Sequence, residues 1–131
     1  MRNIYDSSAI INLCAKKNLD GLLEGETLDL AVYEAGNAVW RQVHLRKTLT
    51  REEGEKALTV LTETINNMKT AAIQDTTAVL NIAIEEGITF YDASYLHAAV
   101  KNNLTLVTDD ERLSSAARRY VKTAFSNRAP E

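Results

Sequence analysis

Asn3-Ile4-Tyr5-Asp6-Ser7-Ser8-Ala9-Ile10-Ile11 passes from strand to helix with no loop between them. Residues 2–6 read as a short buried strand, and Ser7-Ser8 open an apolar helix that runs to about Ala15. Strands that feed helices directly are the units of a parallel α/β sheet. The same junction recurs near the other end of the chain. There Leu104-Thr105-Leu106-Val107-Thr108 reads as a strand, and Asp109-Asp110 lead into a helix from about 110 to 118.

Between these two junctions the alternation continues. Gly21 and Gly25 mark a loop, a second strand is expected near 28–32, and a helix follows over about 33–47, with Val39, Trp40 and Val43 on one core-facing stripe. Thr50 and Glu53 have the spacing of a capping box and start a long helix to about Met68. These two helices form an antiparallel hairpin in the middle of the chain. Asp75 or Thr76 caps a further helix, which Gly87 ends as a left-handed residue. A short strand at 88–90 then feeds a helix over 92–102, Asn102-Asn103 turn the chain, and residues 120–124 supply a last strand.

Such alternation implies right-handed crossovers and an α/β fold of three layers, with a central parallel sheet covered on both faces. We expect one domain over 1–125 and a loose polar tail over 126–131. At 131 residues the chain can bury a core without disulfides or structural metal. Its lone cysteine, Cys14, falls in a helical apolar stretch and reads as a core residue; a reducing cytoplasm is the expected compartment. No apolar run is long enough for a bilayer, and no signal pattern opens the chain. A net charge of −3 argues against binding nucleic acid by bulk charge, so an anionic substrate would have to meet a local basic rim.

The chemistry lies in the acids. Asp6 ends the first strand, Asp92 follows Ile88-Thr89-Phe90-Tyr91, Asp109 and Asp110 follow the strand at 104–107, and Glu34 starts a helix after Leu28-Asp29-Leu30-Ala31-Val32. The functional crevice of an open α/β sheet lies beyond the carboxyl ends of its strands. Acids that converge there repel one another unless they hold a cation, and oxygen donors suit Mg²⁺ or Mn²⁺. Helix capping is the competing explanation: Asp6, Asp92 and Asp109 each precede an expected helix, and aspartate is a favoured N-cap. Capping explains Glu34 less well, because its helix stripe also carries Asn37 and Arg41.

Four segments, Tyr-Asp-Ser-Ser-Ala (5–9), Tyr-Glu-Ala-Gly-Asn-Ala (33–38), Tyr-Asp-Ala-Ser-Tyr-Leu-His-Ala-Ala (91–99) and Leu-Val-Thr-Asp-Asp (106–110), occur in the order found in the PIN-domain nucleases. The chain resembles this family over about 1–115, and in particular the VapC-type toxins of toxin–antitoxin pairs. The resemblance implies a PIN-like fold and a metal-dependent endoribonuclease that leaves 5′-phosphate and 3′-hydroxyl ends. It implies that Asp6, Glu34 and Asp92 are the first acids of a catalytic, metal-binding quartet. The family spacing selects Asp110 as the fourth, with Asp109 the alternative. Ser8, Asn37 and Thr108 match supporting polar positions. Mg²⁺ is the implied cofactor, with Mn²⁺ able to replace it, and the implied partners are RNA, a cognate antitoxin and a second copy of the chain in a homodimer.

Around these acids, His44 stands among Arg41, Arg46, Lys47 and Arg51, and Arg112, Arg118, Arg119 and Lys122 form a second basic stretch. Both clusters read as solvated faces or as grips for an RNA backbone or an acidic partner tail, and Arg41 and Arg112 are the preferred phosphate contacts because they lie near the acids. His97 reads as a packed histidine, and Tyr5, Tyr33, Tyr91 and Tyr95 read as core. Aspartyl-phosphate chemistry fits poorly: haloacid-dehalogenase-like phosphatases normally place a second Asp where this chain has Ser8, and response-regulator receivers need a Lys where it has Thr108. A catalytically inactive PIN-like scaffold that binds RNA or a protein partner is the non-enzyme alternative.

Overall fold

The computed structural model describes residues 2–128. The elements follow one another as β1 (Asn3–Tyr5), α1 (Ser7–Ala15), α2 (Asp20–Glu24), β2 (Glu26–Leu28), α3 (Leu30–Trp40) with a π-helical turn (Arg41–Leu45), α4 (Arg51–Asn66), β3 (Lys69–Ala71), α5 (Thr76–Glu86), α6 (Phe90–Asn102), β4 (Thr105–Val107), α7 (Glu111–Ala117), β5 (Thr123–Ala124) and a 3₁₀ turn (Ser126–Arg128). The five strands form one parallel sheet in the order β3-β2-β1-β4-β5. The chain winds outward from β1 to β3 and returns at β4, so β1 and β4 are the neighbours at which the winding reverses.

Successive residues of a strand face opposite sides of the sheet, and the core divides accordingly. Tyr5 and Val107 pack with Ile10 and Leu13 of α1, Ala31 and Ala35 of α3, and Leu61 and Ile65 of α4. Ile4 and Leu106 pack on the other side with Tyr95, Leu96 and Ala99 of α6 and Leu113 of α7. Asn3, Ile4 and Tyr5 pair in register with Thr105, Leu106 and Val107, which aligns the ends of β1 and β4. The expected three-layer α/β/α fold with a mid-chain hairpin is what forms.

Several boundaries differ from the sequence reading, each for a local reason. Residues 88–90 form no strand; the Thr89 hydroxyl accepts from the Asp92 amide and α6 begins at Phe90. The run Leu28–Val32 is divided: Leu28 ends β2, and the buried Ala31 and Ala35 have the i, i+4 spacing of a helix already under way. β3 had no apolar signature because its Lys-Thr-Ala residues are exposed at the sheet edge. The expected loop at 21–25 holds the short α2. Trp40 is not in the core; it is half exposed and stacks on His44 with ring centroids 5.3 Å apart.

Other local readings agree with the structure. Thr50 and Glu53 make both hydrogen bonds of a capping box, Asp75 caps α5, and Gly87 ends it with φ 65°. The hairpin closes at Gly54, where a Cβ would lie 2.6 Å from Val43 Cγ2. Only glycine allows that approach. Ser126, expected in a loose tail, is buried and bonded to Asp109, while residues 129–131 lie outside the described part.

Candidate active site

The carboxyl ends of β1 and β4, with α3 and α6 on either side, enclose a cleft of ≈ 480 Å³. Asp6, Glu34, Asp92 and Asp110 all line it, together with Ser8, Asn37 and Arg41. Each acid gets there by a different local device. Asp6 ends β1 and caps α1, accepting from the Ala9 amide at 3.0 Å. Asp110 follows β4 and caps α7, accepting from the Leu113 amide at 2.9 Å. Asp92 lies in the first turn of α6, whose cap is Thr89, and Glu34 lies in mid-helix on α3. Capping therefore accounts for Asp6 and Asp110 but not for Asp92, Asp109 or Glu34.

Asp6 is held from both sides. Ser8 Oγ donates to its Oδ1 at 2.7 Å, and Thr108 Oγ1 donates to its Oδ2 at 2.5 Å. Those hydroxyls are fixed in turn, since Asp109 N donates to Ser8 Oγ and Asp110 N to Thr108 Oγ1, each at 3.0 Å. Glu34 is held by Tyr95, whose hydroxyl donates to Oε1 at 2.8 Å. The ring of Tyr95 is core, as the sequence suggested, but its hydroxyl belongs to the site. The available signal was its position three residues after Asp92, on the same side of the helix.

Burial is the main influence on the acids, and charge repulsion adds to it at Asp92 and Asp6. Burial, reinforced by the charges of Asp110, Asp6 and Glu34, pushes Asp92 up to about 6. Burial also raises Asp6 to about 6, against its hydrogen bonds from Thr108, Ala9 and Ser8. Glu34 is raised by burial as well, against the hydrogen bond from Tyr95. Tyr95 is held far above the ordinary phenol range by burial and by the Glu34 charge, so it keeps its proton and donates. Among the described residues, no three His, Cys, Asp or Glu side chains are already gathered as a metal cage. As donors the four acids do fit a hard divalent cation, being all oxygen and short of positive charge.

Asp109 turns the other way. It accepts from Asn12 Nδ2 at 2.7 Å, from the Ser126 amide at 2.8 Å and from the Ser126 hydroxyl. Burial acts to raise it, but these bonds and the nearby Lys16 charge hold it below the ordinary carboxylate range. Arg112 also lies outside the cleft, donating to the Gly87 carbonyl at the end of α5 at 2.9 Å. Of the two preferred phosphate contacts, only Arg41 lines the cleft. Two cleft residues differ from their sequence reading: Tyr33 and Tyr91, expected in the core, are 76% and 58% exposed at its rim.

Comparison with known proteins follows the same lines. No family model matches the chain. The structure is similar to the crystal structure of PAE2754 from Pyrobaculum aerophilum, with a TM-score of 0.78 and 30% identity over 97% of this chain and 93% of that one. That likeness and the sheet order place it in the class of PIN-like α/β/α proteins. Ribonuclease VapC3 of the same organism is 32% identical over 126 residues, 87% of this chain and 93% of the relative. Exonuclease VapC9 is 38% identical over 86 residues, 66% of this chain; the match spans 62% of that relative's own length. The chain belongs to the VapC family of PIN-domain toxins.

Proposed function

We propose that this chain is a metal-dependent endoribonuclease that hydrolyses RNA phosphodiester bonds and acts as the toxin of a toxin–antitoxin pair. The observation that carries this reading is the convergence of Asp6, Glu34, Asp92 and Asp110 on one cleft, where burial and the three neighbouring charges push Asp92 up to about 6. Such repulsion is costly in a fold with no use for it, and a cation relieves it. Asp6, Glu34, Asp92 and Asp110 would hold Mg²⁺, or Mn²⁺ in its place. When bound, the cation supplies the Lewis acidity that favours a deprotonated water and neutralises charge on the leaving oxygen.

The chain's own residues supply the positioning. Ser8 and Thr108 occupy one lone pair on each oxygen of Asp6, and the Ala9 amide takes another on Oδ1, which leaves Oδ2 room for one further partner. Tyr95 fixes Glu34 through Oε1, and Ser7 is a second hydrogen-bond partner of the same carboxylate. Arg41 offers the phosphate a positive partner at the cleft wall. Asp109 is already satisfied elsewhere, which supports Asp110 as the fourth acid.

The partners belong to the same proposal. An apolar groove of ≈ 400 Å³, lined by Cys14, Val39, Val60 and Leu61 among others, shares Ile11 and Ala38 with the cleft. An antitoxin segment lying there would reach the acids. Trp40, Leu45 and Val60 leave apolar surface exposed on the hairpin, which supports self-association into a homodimer. The spread of the acids favours one second reading, an inactive PIN-like scaffold that binds RNA or a partner without cutting.

One set of measurements separates them. Mn²⁺ at about a hundredfold excess over its Kd is expected to raise the melting temperature by roughly 10 °C. Asp6→Asn should lose most of that shift together with RNA cleavage, and EDTA should stop the wild type. Equal shifts in wild type and variant would overturn the metal assignment. A metal shift without any cleavage would establish the scaffold.

A further inference from the structure

The four motif tyrosines divide into two pairs. Tyr5 and Tyr95 are 1% exposed and belong to the two halves of the core, whereas Tyr33 and Tyr91 are 76% and 58% exposed. The exposed pair shares one address. Both line the acidic cleft, and each immediately precedes one of its acids, Tyr33 before Glu34 on α3 and Tyr91 before Asp92 on α6. Neighbouring residues on a helix lie about 100° apart, so each ring stands at the rim beside the acid it precedes. α3 packs on one face of the sheet and α6 on the other, so the two rings reach the cleft from opposite layers.

Large rings left in water at the mouth of a polar cleft contribute little to the fold. They do suit a ligand with flat, weakly polar faces. Every nucleobase has such a face, and stacking on aromatic side chains is the usual way that unpaired nucleic acid is held without regard to sequence. A duplex offers no free base face at this position. Arg41 lines the same cleft and can take a neighbouring phosphate.

We propose that Tyr33 and Tyr91 are stacking platforms that hold unpaired nucleobases next to the reacting phosphate. This rests on the ribonuclease reading and deepens it. The rings bind and orient the substrate; the acids remain responsible for the chemistry.

The test compares cleavage of a short mixed-sequence RNA, single-stranded and annealed to its complement, in Mn²⁺. Tyr33→Ala and Tyr91→Ala should each raise KM about 5- to 50-fold, with kcat changed by less than about threefold. Tyr33→Phe and Tyr91→Phe, which keep the ring, should stay within about twofold of wild type, and the duplex should react at least about tenfold more slowly. In parallel, the same RNA carrying 2-aminopurine is titrated with the Asp6→Asn protein. Its fluorescence should be quenched on binding, and adding Tyr33→Ala and Tyr91→Ala together should abolish the quenching.

Unchanged KM in the alanine variants, phenylalanine variants as impaired as alanine, or equal cleavage of both RNA forms would each overturn the proposal. Unchanged RNA kinetics with lost antitoxin binding would overturn it too, assigning the rings to a protein interface. If the wild type cuts neither form, the nuclease reading fails, and quenching of 2-aminopurine still judges the stacking by itself.

Discussion

Asp109 and Asp110 are adjacent in sequence and opposite in physical state. Asp109 faces Asn12 and Ser126, is served by three donors, and is held below the ordinary carboxylate range against the effect of burial. Asp110 faces the cleft, where its charge helps to raise Asp92. The first arrangement is how a fold uses an acid to tie segments together, here α1, the turn after β4 and the 3₁₀ turn at 126–128. The second gathers acids in one cleft, where burial and their neighbours' charges outweigh the donors that serve them. The difference teaches where the molecule spends stability to create a site.

The widest break in this contrast is its pH dependence. Asp6 and Asp92 titrate near 6 in the folded protein and near 3.8 unfolded, so the folded state holds more protons between those values. Stability contributed by these groups is therefore present below about pH 4 and lost as pH rises through about 6. Without metal, urea denaturation should show a fall of about 3 kcal/mol across this window, and saturating Mn²⁺ should flatten it. A metal-free protein that gains stability from pH 4 to 6 would contradict the raised acids.

A smaller effect comes from the satisfied side. Asp109→Ala leaves the Ser126 amide, its hydroxyl and Asn12 without their acceptor and should cost about 2 kcal/mol at neutral pH, read by the same denaturation. The smallest effect has the opposite sign. Asp92→Asn removes one charge from the cleft and should stabilise the metal-free protein by about 1 kcal/mol at pH 8, the figure being discounted for partial exposure. Destabilisation by Asp92→Asn, or indifference to Asp109→Ala, would erase the distinction between the two sites.

Much of this was legible in the sequence because it is local. The junction at Asp6-Ser7, the capping box at Thr50 and Glu53, and the left-handed Gly87 are decided within a few residues. Residues 88–90 read as a strand because a short apolar run fits either period, although Thr89 with Asp92 three residues later has the spacing of a cap. β3 carries no hydrophobic signal, and only its pairing with β2 makes it a strand. The choice between Asp109 and Asp110 depends on which residue starts α7 and on where Ser126 returns, and the second is a long-range fact. The exposure of Tyr33 and Tyr91 was hidden for the same reason: an aromatic beside a motif reads alike whether it faces the core or the rim.

Asp6 and Asp110 each serve two masters, since the carboxylate that lines the cleft also caps the helix behind it. Selection for folding alone would retain them, whereas Asp92 and Glu34 cap nothing. In a lineage of such proteins that ceased to cut RNA, drift should therefore erase Asp92 and Glu34 first and leave Asp6 and Asp110 standing as fossils of the site. Two surviving acids at these positions are weak testimony to activity, and the pair on α3 and α6 is the better witness.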